Sequence, residues 1–158
     1  MFFLLESCSE EHEITQLQNR NGLMYRSNQE KPFTGTYIEY SVYGQETKRA
    51  EENYKNGKKD GLSILWKRDG QKASEGYYKN GKQNGWETVW YLNGHKASEG
   101  NYKDGRRNGS WKEWYTNGLK WKEGGHKDGK KDGRWIEWDE DGKNPKTNTY
   151  KNGSLVKD

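Results

Sequence analysis

The chain has little of what most globular cores are made from. Hydrophobic residues of all kinds make up 28% of its 158 positions. A thick aliphatic core is therefore excluded, and so is a parallel sheet buried on both faces, whose strands would read as continuous apolar runs. No stretch approaches the roughly 20 apolar residues of a membrane-spanning helix. One cysteine, Cys8, excludes an internal disulfide and is too isolated for a metal site. Two prolines against 20 glycines, without a three-residue spacing, exclude a collagen-like chain.

So polar a composition would ordinarily leave a chain unfolded, because too little apolar surface offsets the ordering entropy. The aromatics contradict that: 8 Trp, 11 Tyr and 3 Phe are present, residues in which disordered chains are depleted. Composition thus predicts a thin fold whose few apolar residues are large rings and whose turns are built on glycine. Charge is split along the chain. Residues 1–53 carry 5 Lys/Arg against 9 Asp/Glu, and residues 54–158 carry 23 against 15. The basic part could attract an anionic partner or could simply be a solvated mixed-charge surface.

A 24-residue period dominates the chain. Tyr54-Lys55-Asn56-Gly57 returns as Tyr78-Lys79-Asn80-Gly81, Tyr102-Lys103-Asp104-Gly105, His126-Lys127-Asp128-Gly129 and Tyr150-Lys151-Asn152-Gly153. A second Asx-Gly follows at Asp60-Gly61, Asn84-Gly85, Asn108-Gly109 and Asp132-Gly133, and a third at Asp69-Gly70, Asn93-Gly94, Asn117-Gly118 and Asp141-Gly142. Asx-Gly is a strong hairpin signal, since both central residues of a type I′ turn need positive φ. Each unit should hold two chain reversals, one a tight turn and the other a longer loop such as 56–61.

Between reversals the residues alternate as strands do. The triplets Leu62/Ile64/Trp66, Trp86/Thr88/Trp90, Ser110/Lys112/Trp114 and Arg134/Ile136/Trp138 each share a face and close on a tryptophan. An earlier, imperfect unit has Thr36/Ile38/Tyr40. On returning strands Tyr78 shares a face with Gly76, and Tyr102 with Gly100, leaving gaps that neighbouring rings can cover. Trp66, Trp90, Trp114 and Trp138 should form a ladder that is the thin core, or that also lines a shallow groove for a partner. With Tyr78 and Tyr102 they are candidate partner-binding anchors, Trp and Tyr being enriched at binding hot spots. The doublets Lys58/Lys59, Arg106/Arg107 and Lys130/Lys131 are candidates for a basic rim beside them. Nucleic acid is disfavoured as the partner, because Asp and Glu are interleaved with the cations.

The motif Glu-Gly-x-Tyr-Lys-Asx-Gly-(Lys/Arg)-x-Asx-Gly at 75–85 and 99–109, followed by Trp and a further Asx-Gly, resembles the MORN repeat and more closely its shorter bacterial variant. The match covers about 54–158 and reaches back to 23–53 through Pro32-Phe33-Thr34-Gly35-Thr36-Tyr37 and Tyr43-Gly44. The resemblance implies an all-β chain: an elongated, single-layer antiparallel β-meander of tandem hairpins. The residues themselves point to no cofactor and no metal. MORN arrays are credited with protein scaffolding and acidic-lipid binding, and related bacterial chains are labelled exported repeat or antitoxin-like proteins. The expected organisation is a tail over 1–22, an imperfect first repeat or cap over 23–53, and the array over 54–158. The expected function is non-enzymatic: a scaffold for a protein partner, in a narrower form an immunity or antitoxin-like protein facing a toxin. The alternative is a module for acidic lipid or glycan.

Phe2-Phe3-Leu4-Leu5-Glu6-Ser7-Cys8-Ser9-Glu10-Glu11 resembles the end of a bacterial lipoprotein signal. That resemblance implies an acylated Cys8 and a place at the cell envelope. Glu6 and the short apolar run depart from the pattern, and a free thiol in a cytoplasmic protein is the alternative.

Catalytic constellations are sparse. His12, His95 and His126 lack metal-ligand spacing, and His126 stands where the repeat has tyrosine. No GxxxxGK(S/T) loop occurs. Ser74 and Ser98 recur without a base, and Glu75, Glu99 and Glu123 lie on successive hairpins about 10 Å apart, as a solvated row would.

Overall fold

In a computed structural model, the structure describes residues 16–41 and 47–157. The fold is an antiparallel meander, with no helix among the described residues. A two-stranded hairpin, β1 (Leu17–Arg20) and β2 (Leu23–Arg26), precedes a 12-stranded sheet. The sheet begins with β3 (Gly35–Tyr40), β4 (Lys48–Lys55), β5 (Lys58–Trp66), β6 (Lys72–Lys79), β7 (Lys82–Trp90), β8 (Lys96–Lys103) and β9 (Arg106–Trp114). It ends with β10 (Lys120–Lys127), the short β11 (Lys130–Lys131), β12 (Gly133–Glu137), β13 (Lys146–Lys151) and β14 (Ser154–Leu155). Strands sit side by side in chain order, β11 pairing with β10 off the main path.

The reversals are arranged oppositely to expectation at 56–61. Asn56 and Gly57, at φ 50° and 77°, form a two-residue turn closed by the Lys55–Lys58 pair. Both φ are positive, as type I′ requires, and its twist matches that of the flanking strands. Asn80-Gly81, Asp104-Gly105, Asp128-Gly129 and Asn152-Gly153 repeat this geometry. The second Asx-Gly is not part of a loop. Gly61, Gly85 and Gly109 lie inside strands at φ 113°, 123° and 100°, beside register shifts in the ladders. There glycine admits the backbone of a bulge. The longer loop is at the other end, where the Lys67 N–H donates to Gln71 O at 2.8 Å and Gly70 N–H to Lys67 O at 3.1 Å.

Consecutive units are locked at both rims. On the turn rim, Gly81 N–H donates to Lys59 O, Gly105 to Gln83, Gly129 to Arg107 and Gly153 to Lys131, each at 2.8 Å. On the loop rim, the Tyr91 hydroxyl donates to Trp114 O at 2.7 Å and that of Tyr115 to Trp138 O at 2.9 Å. The β1–β2 hairpin, straddling the expected tail boundary at 22/23, docks on the first turn. Met24 N–H donates to Gly57 O at 2.8 Å, and Gly57 N–H to Phe33 O at 2.7 Å. Phe33 is buried, its ring 5.9 Å from that of Tyr54.

The register sorts side chains onto two faces. The tyrosine face carries Tyr54, Tyr78, Tyr102, His126 and Tyr150, with Glu52, Ser63, Gly76, Glu87, Gly100, Trp111, Gly124 and Trp135 beside them. The ladder face carries the four triplets. The deepest rings belong to the tyrosine face: Trp111 and Trp135 are each 1% exposed, whereas Trp66, Trp90, Trp114 and Trp138 are half-buried. The ladder is therefore not the main core. The two buried rings lie directly on Gly100 and Gly124, where a Cβ would come within 2.1 Å of Trp111 and 2.3 Å of Trp135.

Candidate functional site

The ladder rings are ordered by a repeated three-residue device. Lys48, Lys72, Lys96 and Lys120 lie with their ammonium groups 5.3, 5.9, 5.7 and 5.1 Å from the ring centres of Trp66, Trp90, Trp114 and Trp138. Each lysine also pairs with the glutamate three residues on: Glu51 at 2.8 Å, Glu75 at 2.5 Å, Glu99 at 2.6 Å and Glu123 at 2.7 Å. The recurrence of Lys, Glu and Trp once per 24-residue unit gives each ring a cation over its face. A neutral, capped row results, and its ring faces are already engaged.

Glu99 is also approached by Lys112 at 3.5 Å. All three recurrent glutamates, Glu75, Glu99 and Glu123, are thus in ion pairs.

Tyr78 and Tyr102 lie on the opposite face from the ladder, so the expected anchors do not form one surface. Tyr102 packs edge-on against Trp111 at 5.6 Å, Trp111 against His126 at 5.9 Å, and His126 against Trp135 at 5.0 Å. His126 occupies the tyrosine position of its unit, with its Nδ1 buried and unpartnered. Burial, and then the cations Arg107 and Lys131, lower its pKa to about 4. Burial and the hydrogen bond to Glu52 push the Tyr54 hydroxyl well above the ordinary phenol value.

The basic doublets are split by strand alternation. Lys59, Arg107 and Lys131 point to the tyrosine face. Lys59 pairs with Glu52 at 2.5 Å and lies 5.3 Å from the Tyr78 ring centre. Arg107 lies 3.8 Å over Trp111 and 3.7 Å from Glu113; Lys131 lies 4.4 Å over Trp135 and 3.5 Å from Glu137. Arg107 and Lys131 thus cover the two deepest rings, and Lys59 the half-buried Tyr78. Their neighbours Lys58, Arg106 and Lys130 point to the ladder face at the turn rim.

There they join residues the sequence reading passed over. The pairs Lys55/Lys58, Lys79/Lys82, Lys103/Arg106 and Lys127/Lys130 flank the two-residue turns, and Lys151 follows. All nine are exposed. Among the described residues none of the nine takes part in an ion pair within 4.0 Å. The signal was present in the Lys-Asx-Gly-(Lys/Arg) motif itself, once the turn is known to be of two residues. A hollow lined by Leu23, Pro32, Lys55, Asn56, Lys58, Asp60, Lys79 and Asn80 opens where the rim meets the N-terminal hairpin.

Inward of the rim, the ladder face holds an exposed apolar patch. Leu62 pairs with Tyr77, which is 50% exposed; Trp86, 37% exposed, follows on the next strand. The patch is bounded by Asn53, whose Nδ2 donates to Leu62 O at 2.8 Å, and by Asn101, paired with Trp86.

His95 is exposed, its Nδ1 2.8 Å from Thr116 O. Cys8 and His12 lie outside the described residues. Among the described residues no group of three or more His, Cys, Asp or Glu is placed to hold a metal ion. No family model and no curated protein matches the chain.

Proposed function

We propose that the protein is a non-enzymatic repeat scaffold that binds another protein through the ladder face. The observation that carries this reading is the Leu62/Tyr77/Trp86 patch. Tyr77 and Trp86 stay exposed side by side, where Trp121, the third exposed ring among the described residues, stands apart, in a chain that has few apolar side chains and buries others completely. A partner that desolvates a Trp and a Tyr gains the kind of contact that dominates interface energetics. The four ladder tryptophans lie on the same face, each with a lysine over its ring. The narrower form, an immunity or antitoxin-like protein that masks a toxin at a bacterial cell envelope, draws on the resemblance to the bacterial 24-residue repeats and on Cys8.

The test is quantitative affinity capture from the native host with wild type and with the double variant Tyr77→Ser, Trp86→Ser. Both should give the same circular dichroism, and the partner should be retained at least about tenfold less by the variant. Equal retention would refute the patch as the binding site. A second reading, a module for acidic lipid surfaces, is favoured by the exposed cations of the turn rim. Sedimentation with anionic vesicles that is indifferent to the patch variant would support it over the first.

A further inference from the structure

The nine exposed cations of the turn rim outnumber the carboxylates near them, Asp60, Asp104, Asp128 and Asp132, and among the described residues none of the nine is in an ion pair. Lys55 and Lys58 are direct cross-strand partners, as are Lys79 and Lys82, and Lys127 and Lys130. Like charges directly opposite one another destabilise a sheet. Lysines do protect exposed edge strands from adding another chain, but these stand at strand ends, where no ladder is open. Their positions are also fixed. A Cβ at Gly81 would lie 3.7 Å from Lys58 Cβ, and one at Gly153 would lie 3.5 Å from Lys130 Cβ, so each stem rests beside the glycine of the next turn. Backbone bonds from each turn glycine to the preceding unit keep successive turns in contact. Strand spacing then puts one turn every ~9.6 Å along the rim.

We propose that this rim binds an extended acidic polypeptide segment carrying a carboxylate at every third residue. A polyproline-II segment has three residues per turn and a rise of ~3.1 Å, so every third side chain lies on one side at ~9.3 Å intervals. That interval places one carboxylate at each of the four Lys-Asx-Gly-(Lys/Arg) turns, between two cationic groups. The segment needs no open strand edge. It passes within one strand row of the Tyr77/Trp86 patch, so an acidic tail and an apolar anchor could belong to one partner. The inference rests on the reading of the protein as a scaffold for a protein partner and names the chemistry of part of that partner.

Fluorescence anisotropy with labelled synthetic peptides tests it without the native partner. The probes are about five repeats of Glu-Pro-Gln and an isomer with the same glutamates in one block. A single-stranded oligonucleotide of equal charge is the third probe. The spaced peptide should bind several-fold tighter than the blocked isomer and tighter than the oligonucleotide, with affinity falling as salt rises. Replacing Lys58, Lys82, Arg106 and Lys130 by Gln should weaken it about tenfold, since each turn then loses one of its two cations. Tyr77→Ser with Trp86→Ser should leave peptide affinity unchanged. Equal affinity for the two peptides, or preference for the oligonucleotide, would overturn the inference and mark the rim as a general polyanion surface. Capture of a partner that depends on the patch would still stand after that failure, so the two readings fail separately.

Discussion

Gly76, Gly100 and Gly124 are the same residue of three successive units, yet they should respond very differently to alanine. A Cβ at Gly76 would meet Glu87 Cβ at 3.5 Å, an ordinary contact. At Gly100 it would sit 2.1 Å from Trp111 Cε3 and 2.7 Å from the Ser110 carbonyl oxygen; at Gly124 it would sit 2.3 Å from Trp135 Cδ2. None of the three has positive φ, so backbone strain does not separate them. Gly76→Ala should be neutral or stabilising by up to about 1 kcal/mol, because alanine narrows the unfolded ensemble. Gly100→Ala and Gly124→Ala must lift a ring off its seat. Overpacking costs about 1–3 kcal/mol, and loss of part of the burial of a tryptophan adds to that. For a chain of this size, each kcal/mol moves Tm by roughly 2–4 °C. Urea denaturation followed by tryptophan fluorescence and by circular dichroism would measure the three variants side by side. The second variant set supplies the mechanism: in a Trp111→Glu background, which copies the Glu87 unit, Gly100→Ala should lose most of its cost. Equal destabilisation at Gly76 and Gly100, or an unchanged cost in that background, would refute the seating of the ring on the glycine.

Trp111→Ala should cost about 3–5 kcal/mol as a buried ring, and Trp90→Ala roughly half of that as a half-buried one, which the same denaturation curves would show. Because the pKa of His126 falls from 6.5 free to about 4 in the fold, the unfolded chain binds its proton first. Stability should be full above pH 6.5 and fall as the pH drops from 6.5 towards 4. His126→Phe should remove that part of the pH profile. Lys59→Ala leaves Glu52, a carboxylate buried beside Tyr54, without its ammonium partner, and should cost about 1–2 kcal/mol. Its neighbour Lys58→Ala should stay within about ±0.5 kcal/mol by thermal denaturation.

The meander was legible in the sequence because its turns are spelled in φ: an Asn or Asp before a glycine states the conformation as well as the location. Which Asx-Gly made the tight turn was not legible. Glycine at a bulge and glycine in a I′ turn both require positive φ, and only the pairing of Lys55 with Lys58 tells them apart. The rank of the rings was hidden for a similar reason. Trp66, Trp90, Trp114 and Trp138 recur and draw notice, whereas Trp111 and Trp135 occupy a position that is Ser63 and Glu87 in earlier units. Burial follows from the glycine beneath, which exists at Gly100 and Gly124 but acts only where a ring faces it. The splitting of Arg106 from Arg107 was implicit in strand alternation, yet a doublet reads as one basic patch until the end of the strand is fixed. The patch was hidden because its positions recur while its residues do not: Leu62 and Trp86 stand where later units have Ser110 and Arg134, and Tyr77 where they have Asn101 and Gly125.

The backbone bonds from each turn glycine reach back only 22 residues, from Gly81 to Lys59 and from Gly153 to Lys131, and the loop-rim bonds reach a similar distance. Such a molecule has a mechanical character unlike that of a sandwich or barrel. Load applied at the C-terminus meets one hairpin at a time, and its ladder bonds open in sequence rather than in parallel. Under tension the array should yield in steps of one 24-residue unit, each releasing about 80 Å of extended chain. The steps should not be equal in force, since the hairpins that seat Trp111 and Trp135 on glycine must also strip a buried ring from its place.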